Sequence, residues 1–402
     1  MKRKILFVLF VLMTSLVFSK SFFRNRYFEM KVTVPVSVSN NTFGIFEMLQ
    51  KEVVIDLSEI AKEMPKNGFD LFVNASPNYE VTLNINEKFI FGPRIGINMY
   101  GTANVSKSVF EFMGNGNSLN EPLDFTAQVN ADLFAYFGLL LGVKIGKLRV
   151  GVLPQAFIPI YSATTEDVFL NIENSEDGKF HITGNGTLAM YSNLGMLNDS
   201  PNDASEIINV LTSGLGIDVE GYFGWDYSKS VALDFNYKVP IKAGCYKNKM
   251  AYNVNLDFNT SISDFINGDI GSEFVTNGEQ KNESVDFKIY RPMKFNLALR
   301  YNPFENFLTF NALGGVGIYH PFMDDMQIYP EYFFAAKVSL IGLLSAQIST
   351  EYFDKCFSHR FLASINLRLV QLDAGVSVSS TNFLKAFQGT GLGAFVSVAV
   401  GF

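Results

Sequence analysis

The segment 392-LGAFVSVAVGF-402 decides how this chain is read. Leu392, Ala394, Val396, Val398, Val400 and Phe402 fall at one parity, and Gly393, Phe395, Ser397, Ala399 and Gly401 at the other. Successive side chains of a strand point to opposite faces, so a period of two predicts a β-strand with one aliphatic face.

The same period recurs upstream. Val32, Val34, Val36 and Val38 alternate with Thr33, Pro35 and Ser37. Phe125, Val129 and Leu133 oppose Asp124, Gln128, Asn130 and Asp132, and Val231 to Val239 place Asp234, Asn236 and Lys238 on the second face. Tyr252 to Phe258 set aside Asn255 and Asp257; Phe295 to Tyr301 set aside Lys294 and Arg300; Phe361 to Leu369 set aside Asn366 and Arg368. One apolar and one polar face also suits a sheet on a soluble core, so alternation alone does not choose a membrane.

Composition narrows the choice. The chain is 48% hydrophobic and 14% aromatic but only 18% charged. The apolar stretch Leu133 to Val143 falls short of the ~20 residues that a spanning helix needs, whereas barrel strands need only ~9 to 11. A formal charge of −7, with no basic run beyond the amino terminus, excludes nucleic acid as a partner class. Lys2, Arg3 and Lys4 precede an apolar run from Ile5 to Val17, and Ser19 is small enough to flank a cleavage point. That layout predicts a secretory signal peptide over residues 1–19, leaving 20–402 as the folded unit.

A strand closing on a terminal aromatic residue resembles the assembly signal of bacterial outer-membrane β-barrels, which the barrel-assembly machinery engages; here it comprises Val398, Val400 and Phe402. The connections fit that resemblance. Asn86 to Lys88, Ile145 to Lys147, Gly244 to Asn248 and Pro303 to Asn306 read as short turns. Ser108 to Pro122, Thr164 to Lys179, Ser263 to Ser284, His320 to Tyr329 and Thr381 to Gly389 read as long loops. Short periplasmic turns and long outer loops are the outer-membrane pattern. It breaks once, where Leu194 to Gly214, with a helix expected over Asp203 to Thr212, falls on the short side and Asp226 to Lys229 on the long side.

The expected fold is therefore all-β: a transmembrane antiparallel up-and-down β-barrel of about 14–16 strands, with both termini periplasmic and the last strand paired to the first. Sixteen is the direct count; it falls to about fourteen if Ile341-Gly342 or the parity change at Val370 is a bulge and not a turn. The topology places Cys245 in a periplasmic turn and Cys356 at the outer end, too far apart for a disulfide.

A helical insertion is expected over residues 44–66, because Phe46, Leu49, Val53, Val54, Leu57, Ile60 and Ala61 follow helical spacing, with Asp56 or Ser58 as cap and Pro65 and Gly68 as stop. Together with Asn40, Asn41 and Phe43 before it, and Val109-Phe110-Glu111-Phe112 ahead of Gly116-Asn117, this stretch resembles an uncharacterised family of outer-membrane barrels of about this length. It is more distantly similar to the FadL-type transporters of fatty acids, although no hatch segment precedes the first strand. The first resemblance implies the fold and an outer-membrane location; the second implies passage of hydrophobic compounds.

Chemistry of other kinds finds little support. His181, His320 and His359 lack metal-binding spacing, and Gly389, Gly391 and Gly393 open a strand with no helix after it, so neither a metal, a cofactor nor an enzyme is expected. His320 with Asp324 and Asp325 resembles the Asp and His pairs of outer-membrane proteases, but acidic loops are commonly solvated or hold ions that bridge lipopolysaccharide. The inward candidates are Asp124, Gln128, Asn130, Asp132, Asp234, Asn236, Lys238, Asn255, Asp257, Lys294, Arg300, Asn366 and Arg368, acidic early and basic late. They line a pore or pair across a plugged lumen. The expected function is porin-like passage of small solutes, with FadL-like transport or a surface-interaction role as alternatives; the partners are outer-membrane lipid, lipopolysaccharide and the assembly machinery. Deleting Phe402 is expected to reduce the folded barrel recovered from outer membranes, read as heat-modifiable gel mobility.

Overall fold

The computed structural model describes residues 26–44, 56–117, 121–174, 179–193, 212, 214–261, 279–304, 307–323, 326–340, 342–353, 356–387 and 389–402. The expected signal peptide, Phe46 to Val54, the helix over 203–211, and Asp324 and Asp325 lie outside them.

The first elements are β1 (Phe28–Asn40), α1 (Leu57–Glu63), β2 (Phe69–Ala75), β3 (Asn78–Ile85), β4 (Phe89–Val105) and α2 (Lys107–Asn115). There follow β5 (Leu123–Ile145), β6 (Leu148–Asn174), β7 (Lys179–Ser192), β8 (Gly216–Asp226), β9 (Val231–Lys242), β10 (Gly244–Ser261), β11 (Glu279–Ile289) and β12 (Met293–Phe304). The chain ends with β13 (Leu308–Tyr319), β14 (Gln327–Leu340), β15 (Leu344–Phe353), β16 (Cys356–Asn366), β17 (Val370–Ser380), α3 (Phe383–Ala386) and β18 (Gly391–Gly401).

All the segments join one antiparallel sheet, and it closes on itself. β1 pairs with β18 from Glu29↔Gly401 to Ser39↔Gly391, and Phe28 and Phe402 exchange backbone hydrogen bonds of 3.1 and 3.0 Å. Closure between the last strand and the region Val32 to Val38 is what the terminal alternation led us to expect.

Among the described residues the eighteen segments make fourteen staves, because four staves are each built from two segments laid end to end. β2 and β3 both lie between β1 and β4. β7 and β8 both run along β6, one above the other; β7 then pairs with β10 and β8 with β9. β10 pairs with β11 and β9 with β12, so β9–β10 and β11–β12 are single staves interrupted at Ala243 and at Tyr290 to Pro292.

Fourteen lies within the expected range of 14–16, and the arrangement resolves the break in the turn pattern. Gly244 to Asn248 is no turn: its polar Lys247 and Asn248 sit at a register shift within β10. β7, ending at Ser192, and β8, beginning at Gly216, belong to one stave, so Leu194 to Gly214 is not a link between neighbouring staves. With both removed, Tyr227 to Ser230 joins Asn86–Lys88, Gly146–Lys147, Gly342–Leu343 and Leu367–Leu369 at the short-turn end, beside both termini. Both doubtful sites are turns, with Gly342 and Arg368 at φ 69°. Cys245 consequently lies partway along a stave, opposite Lys288, and forms no disulfide with Cys356. The segment Thr164 to Asn174, expected as loop, is strand, because β6 continues to Asn174. From Thr164 to Asp167 residues of both parities are polar, so the alternation fades while the pairing persists.

The outward face is apolar over a continuous band that includes Val32, Ile95, Ile97, Phe235, Leu297 and Phe361, all exposed. Tyr27, Phe89, Trp225, Tyr227, Phe304, Phe307 and Phe402 ring its short-turn edge. At the opposite edge Tyr332 stacks on Tyr352 at 5.5 Å beside Phe357. An apolar band between two aromatic girdles is the surface of a transmembrane barrel.

The helices sit at the outer end. Asp56 caps α1 by accepting from the Glu59 amide at 3.0 Å, and α2 lies against α1 where Gly114 meets the Ser58 backbone. Phe112 of α2 packs edge-on against Phe125, and Phe43, Phe69 and Phe110 form an adjoining aromatic trio. Only α1 was anticipated; α2 lies within an expected loop. Leu297→Arg, on the lipid face of β12, is expected to cost about 2–4 kcal/mol in denaturant titrations of the lipid-embedded barrel.

Candidate functional site in the barrel lumen

Alternation that turns valine toward lipid turns charge inward, and a lumen of this width brings those charges together. Near the short turns the Arg149 guanidinium lies 2.7 Å from Asp234 and 3.0 Å from Asp226, with Arg300 3.6 Å from Asp226. Arg94 pairs with Glu80 at 2.6 Å and with Glu220 at 3.8 Å. An apolar knot of Ile90, Leu140 and Leu153 is buried beside these groups.

Farther up, Arg291 projects from the break between β11 and β12. It donates to Asp218 and Gln155 at 2.8 Å and to Asn98 at 2.5 Å, and its guanidinium is as buried as the core. Lys294 reaches Glu331 at 2.5 Å, and Glu331 accepts from Asn296 at 2.9 Å. A buried charge is tolerable only when paired and hydrogen-bonded, a condition these groups meet by reaching across staves.

An aromatic cluster rests on this polar layer. The Arg291 guanidinium stands 4.7 Å from the Tyr136 ring centre and 5.7 Å from that of Phe157, within cation–π range. Phe134 meets Phe157 edge-on at 5.8 Å, and Tyr191 stacks on Phe287 at 4.3 Å with Tyr246 at 6.1 Å. Ala189, Ile289, Tyr100 and Val285 complete it. The cluster collects where β7, β10 and β11 meet their breaks, so the interrupted staves are what bring these rings together.

The residues anticipated from sequence divide by height. Asp234, Asn236, Lys238, Lys294 and Arg300 lie at or below the Arg291 level. Asp124, Gln128, Asn130 and Asp132 climb the outer part of β5: Asn171 donates to Asp124 at 2.8 Å, Thr164 to Asn130 at 2.7 Å, and His320 stands 4.0 Å from Asp132. Asn255 and Asp257 occupy the outer part of β10, with Asp257 3.1 Å from His181. Asn366 is at the short-turn rim, where Arg26 donates to it at 3.1 Å. Arg368 is a correction: it forms the β16–β17 turn and its amide donates to Asn366, because the strand ends two residues before it.

The division into acidic early and basic late strands also does not hold, since Asp234 faces Arg149 and Lys294 faces Glu331, partners of opposite sign that the sequence pattern did not flag. Arg94, Arg149, Glu220, Arg291, Glu331 and the Arg360–Glu351 pair at 2.8 Å escaped notice because they stand alone in their segments. Arg149 follows a turn, and Arg291 sits beside a proline. Period-two counting could have flagged Arg149, Asp218 and Glu220, which share parity with buried neighbours. Among the described residues no cluster of His, Cys, Asp and Glu could hold a metal ion.

No protein-family profile and no curated protein matches the sequence. Among solved structures the chain is similar to the toluene transporter TbuX of Ralstonia pickettii, with a TM-score of 0.51 and 10% identity over 95% of this chain and 91% of that one. The toluene transporter TodX of P. putida covers 93% and 89% at a TM-score of 0.47 and 10% identity. A FadL homologue of Pseudomonas aeruginosa covers 94% and 90% at the same score and identity. At this identity the TbuX likeness establishes the fold, an outer-membrane-type barrel. Asp234→Ala, which leaves Arg149 buried without that carboxylate, is expected to lose about 3–5 kcal/mol of stability, whereas Arg149→Met/Asp234→Leu recovers most of it; guanidinium titration measures both.

Proposed function

We propose that the barrel is a selective conduit carrying small solutes across the outer membrane, and that its preferred cargo is a small apolar or aromatic compound. The observation that carries this reading is the buried cluster of Phe134, Tyr136, Phe157, Tyr191, Tyr246 and Phe287, seated on a layer of ion pairs. Aromatic side chains offer a large apolar surface with orientational preference, which suits a guest of the same chemistry. TbuX, whose fold the chain shares, is described as a toluene transporter, and that description supports the same cargo class here. The polar layer beneath acts as a selectivity barrier: ions and large hydrophilic solutes meet paired charges in place of an open aqueous bore.

Porin-like passage of hydrophilic solutes is the second reading, favoured by the polar side chains on the outer parts of β5 and β10. We read the protein as a transport barrel and not an enzyme. Its surroundings are outer-membrane lipid and lipopolysaccharide, with the assembly machinery as the partner that inserts it. Wild-type protein in liposomes is expected to speed toluene uptake over protein-free vesicles, and Phe134→Ala/Tyr191→Ala to weaken saturable uptake by about tenfold, equivalent to ~1.4 kcal/mol. Uptake no faster than in empty vesicles would overturn the reading. Large steady conductance steps in planar bilayers would favour the porin.

A further inference from the structure

On the side of the lumen away from the aromatic cluster, the inward face is built from small hydroxyl-bearing residues. Antiparallel register aligns them in rows. Glu351, Ser358, Ser379, Gly391 and Ser39 stand side by side across β15, β16, β17, β18 and β1. One step nearer the periplasm come Ser349, Arg360, Ser377, Gly393 and Ser37. The next row holds Gln347, Leu362, Gly375, Phe395 and Pro35, so an aliphatic and an aromatic side chain form a floor. Above, Asn40 donates to the Thr390 carbonyl and closes the β1–β18 corner.

Ser39, Ser349, Ser358, Ser377 and Ser379 are between 3% and 9% exposed, yet among the described residues none of the five hydroxyls has a hydrogen-bond partner. A buried hydroxyl without a partner costs about 1–3 kcal/mol, so five on one face call for a partner beyond the described side chains. Gly391 lets the hydroxyls crowd together: a Cβ there would stand 2.4 Å from the Ser379 hydroxyl and 2.7 Å from that of Ser39. The guanidinium of Arg360, held to Glu351 at 2.8 Å, adds charge-polarised hydrogen-bonding groups without net charge.

We propose that this niche is a second subsite, distinct from the aromatic cluster, that takes neutral hydroxyl-bearing molecules: ordered water and polyols about as small as glycerol. Serine hydroxyls both donate and accept, which matches a guest that does the same, and the neutral balance of the Arg360–Glu351 pair disfavours an ion. The floor of Leu362 and Phe395 suits the C–H face of a polyol.

Stopped-flow light scattering of liposomes containing the full barrel tests this in two arms, water efflux against an impermeant dextran and refilling by glycerol. Wild-type barrels are expected to accelerate both over protein-free vesicles, and Ser349→Ala/Ser377→Ala to slow both several-fold while toluene uptake is unchanged. Loss of the water arm alone assigns the niche to water, and loss of the glycerol arm alone to polyols. If the alanine variant fails to fold, Ser377→Thr, which keeps the hydroxyl and narrows the niche, is expected to slow glycerol more than water. Wild-type rates equal to empty vesicles, or alanine and threonine variants unchanged in both arms, would overturn the proposal. Neither result touches the aromatic reading, which the toluene measurement decides separately.

Discussion

The structure depends on one requirement: inside hydrocarbon no water is present to satisfy a backbone amide or carbonyl, so the sheet must leave no edge. The eleven-pair register between β1 and β18 meets it, ending in the mutual hydrogen bonds of Phe28 and Phe402. Closure then fixes the rest. Once every stave has two neighbours, each side chain has two destinations, lipid or lumen, and the period of two decides between them. Even the break at Ser76 and Pro77 obeys the rule. Pro77 has no amide to offer, but its carbonyl accepts from Ile97 at 2.9 Å, and the Ser76 amide reaches the Pro35 carbonyl at 3.1 Å.

The inner face obeys a different electrostatic logic. Valine and leucine facing lipid gain from burial, but the charged groups turned inward gain only if they find each other. They do so across the barrel: Arg149 on β6 meets Asp234 on β9, and Arg291 meets Gln155 on β6, Asp218 on β8 and Asn98 on β4. Such bonds tie staves that are not hydrogen-bonded to each other, so the interior is braced at the level where the wall is interrupted. The aromatic rings above inherit that bracing through Arg291, which is stacked on two of them and bonded to three strands.

Much of the wall was legible in the sequence. Val32 to Val38 and Leu392 to Phe402 alternate strongly because one face must be apolar, and closed turns such as Gly146 and Gly342 announce themselves through residues that tolerate positive φ. What escaped was whatever depends on partners distant in the chain. The segment around Cys245 looks like a turn because Lys247 and Asn248 are polar, whereas it is strand beyond the lipid, where polarity carries no information about pairing. The lumen was half legible: Asp234 and Lys294 could be placed by parity, but Arg149 and Glu331, which neutralise them, are 85 and 37 residues away. The aromatic cluster was invisible, because its members come one or two at a time from β4, β5, β6, β7, β10 and β11 and meet only when the barrel closes.

β6 has 27 residues and β5 has 23, more than twice the ~9 to 11 that cross a bilayer. At ~3.3 Å per residue and a tilt of ~40°, the longer one rises roughly 70 Å along the axis, against an apolar band of ~25 Å. One strand is thus dissolved in two solvents. Its lower part obeys membrane rules and its upper part those of a water-soluble sheet, the setting in which Lys247 of β10 and Asp286 of β11 form an exposed ion pair. A solute arriving from outside therefore enters a standing tower well above the lipid and is sorted by protein surface before the bilayer has any say in its partition.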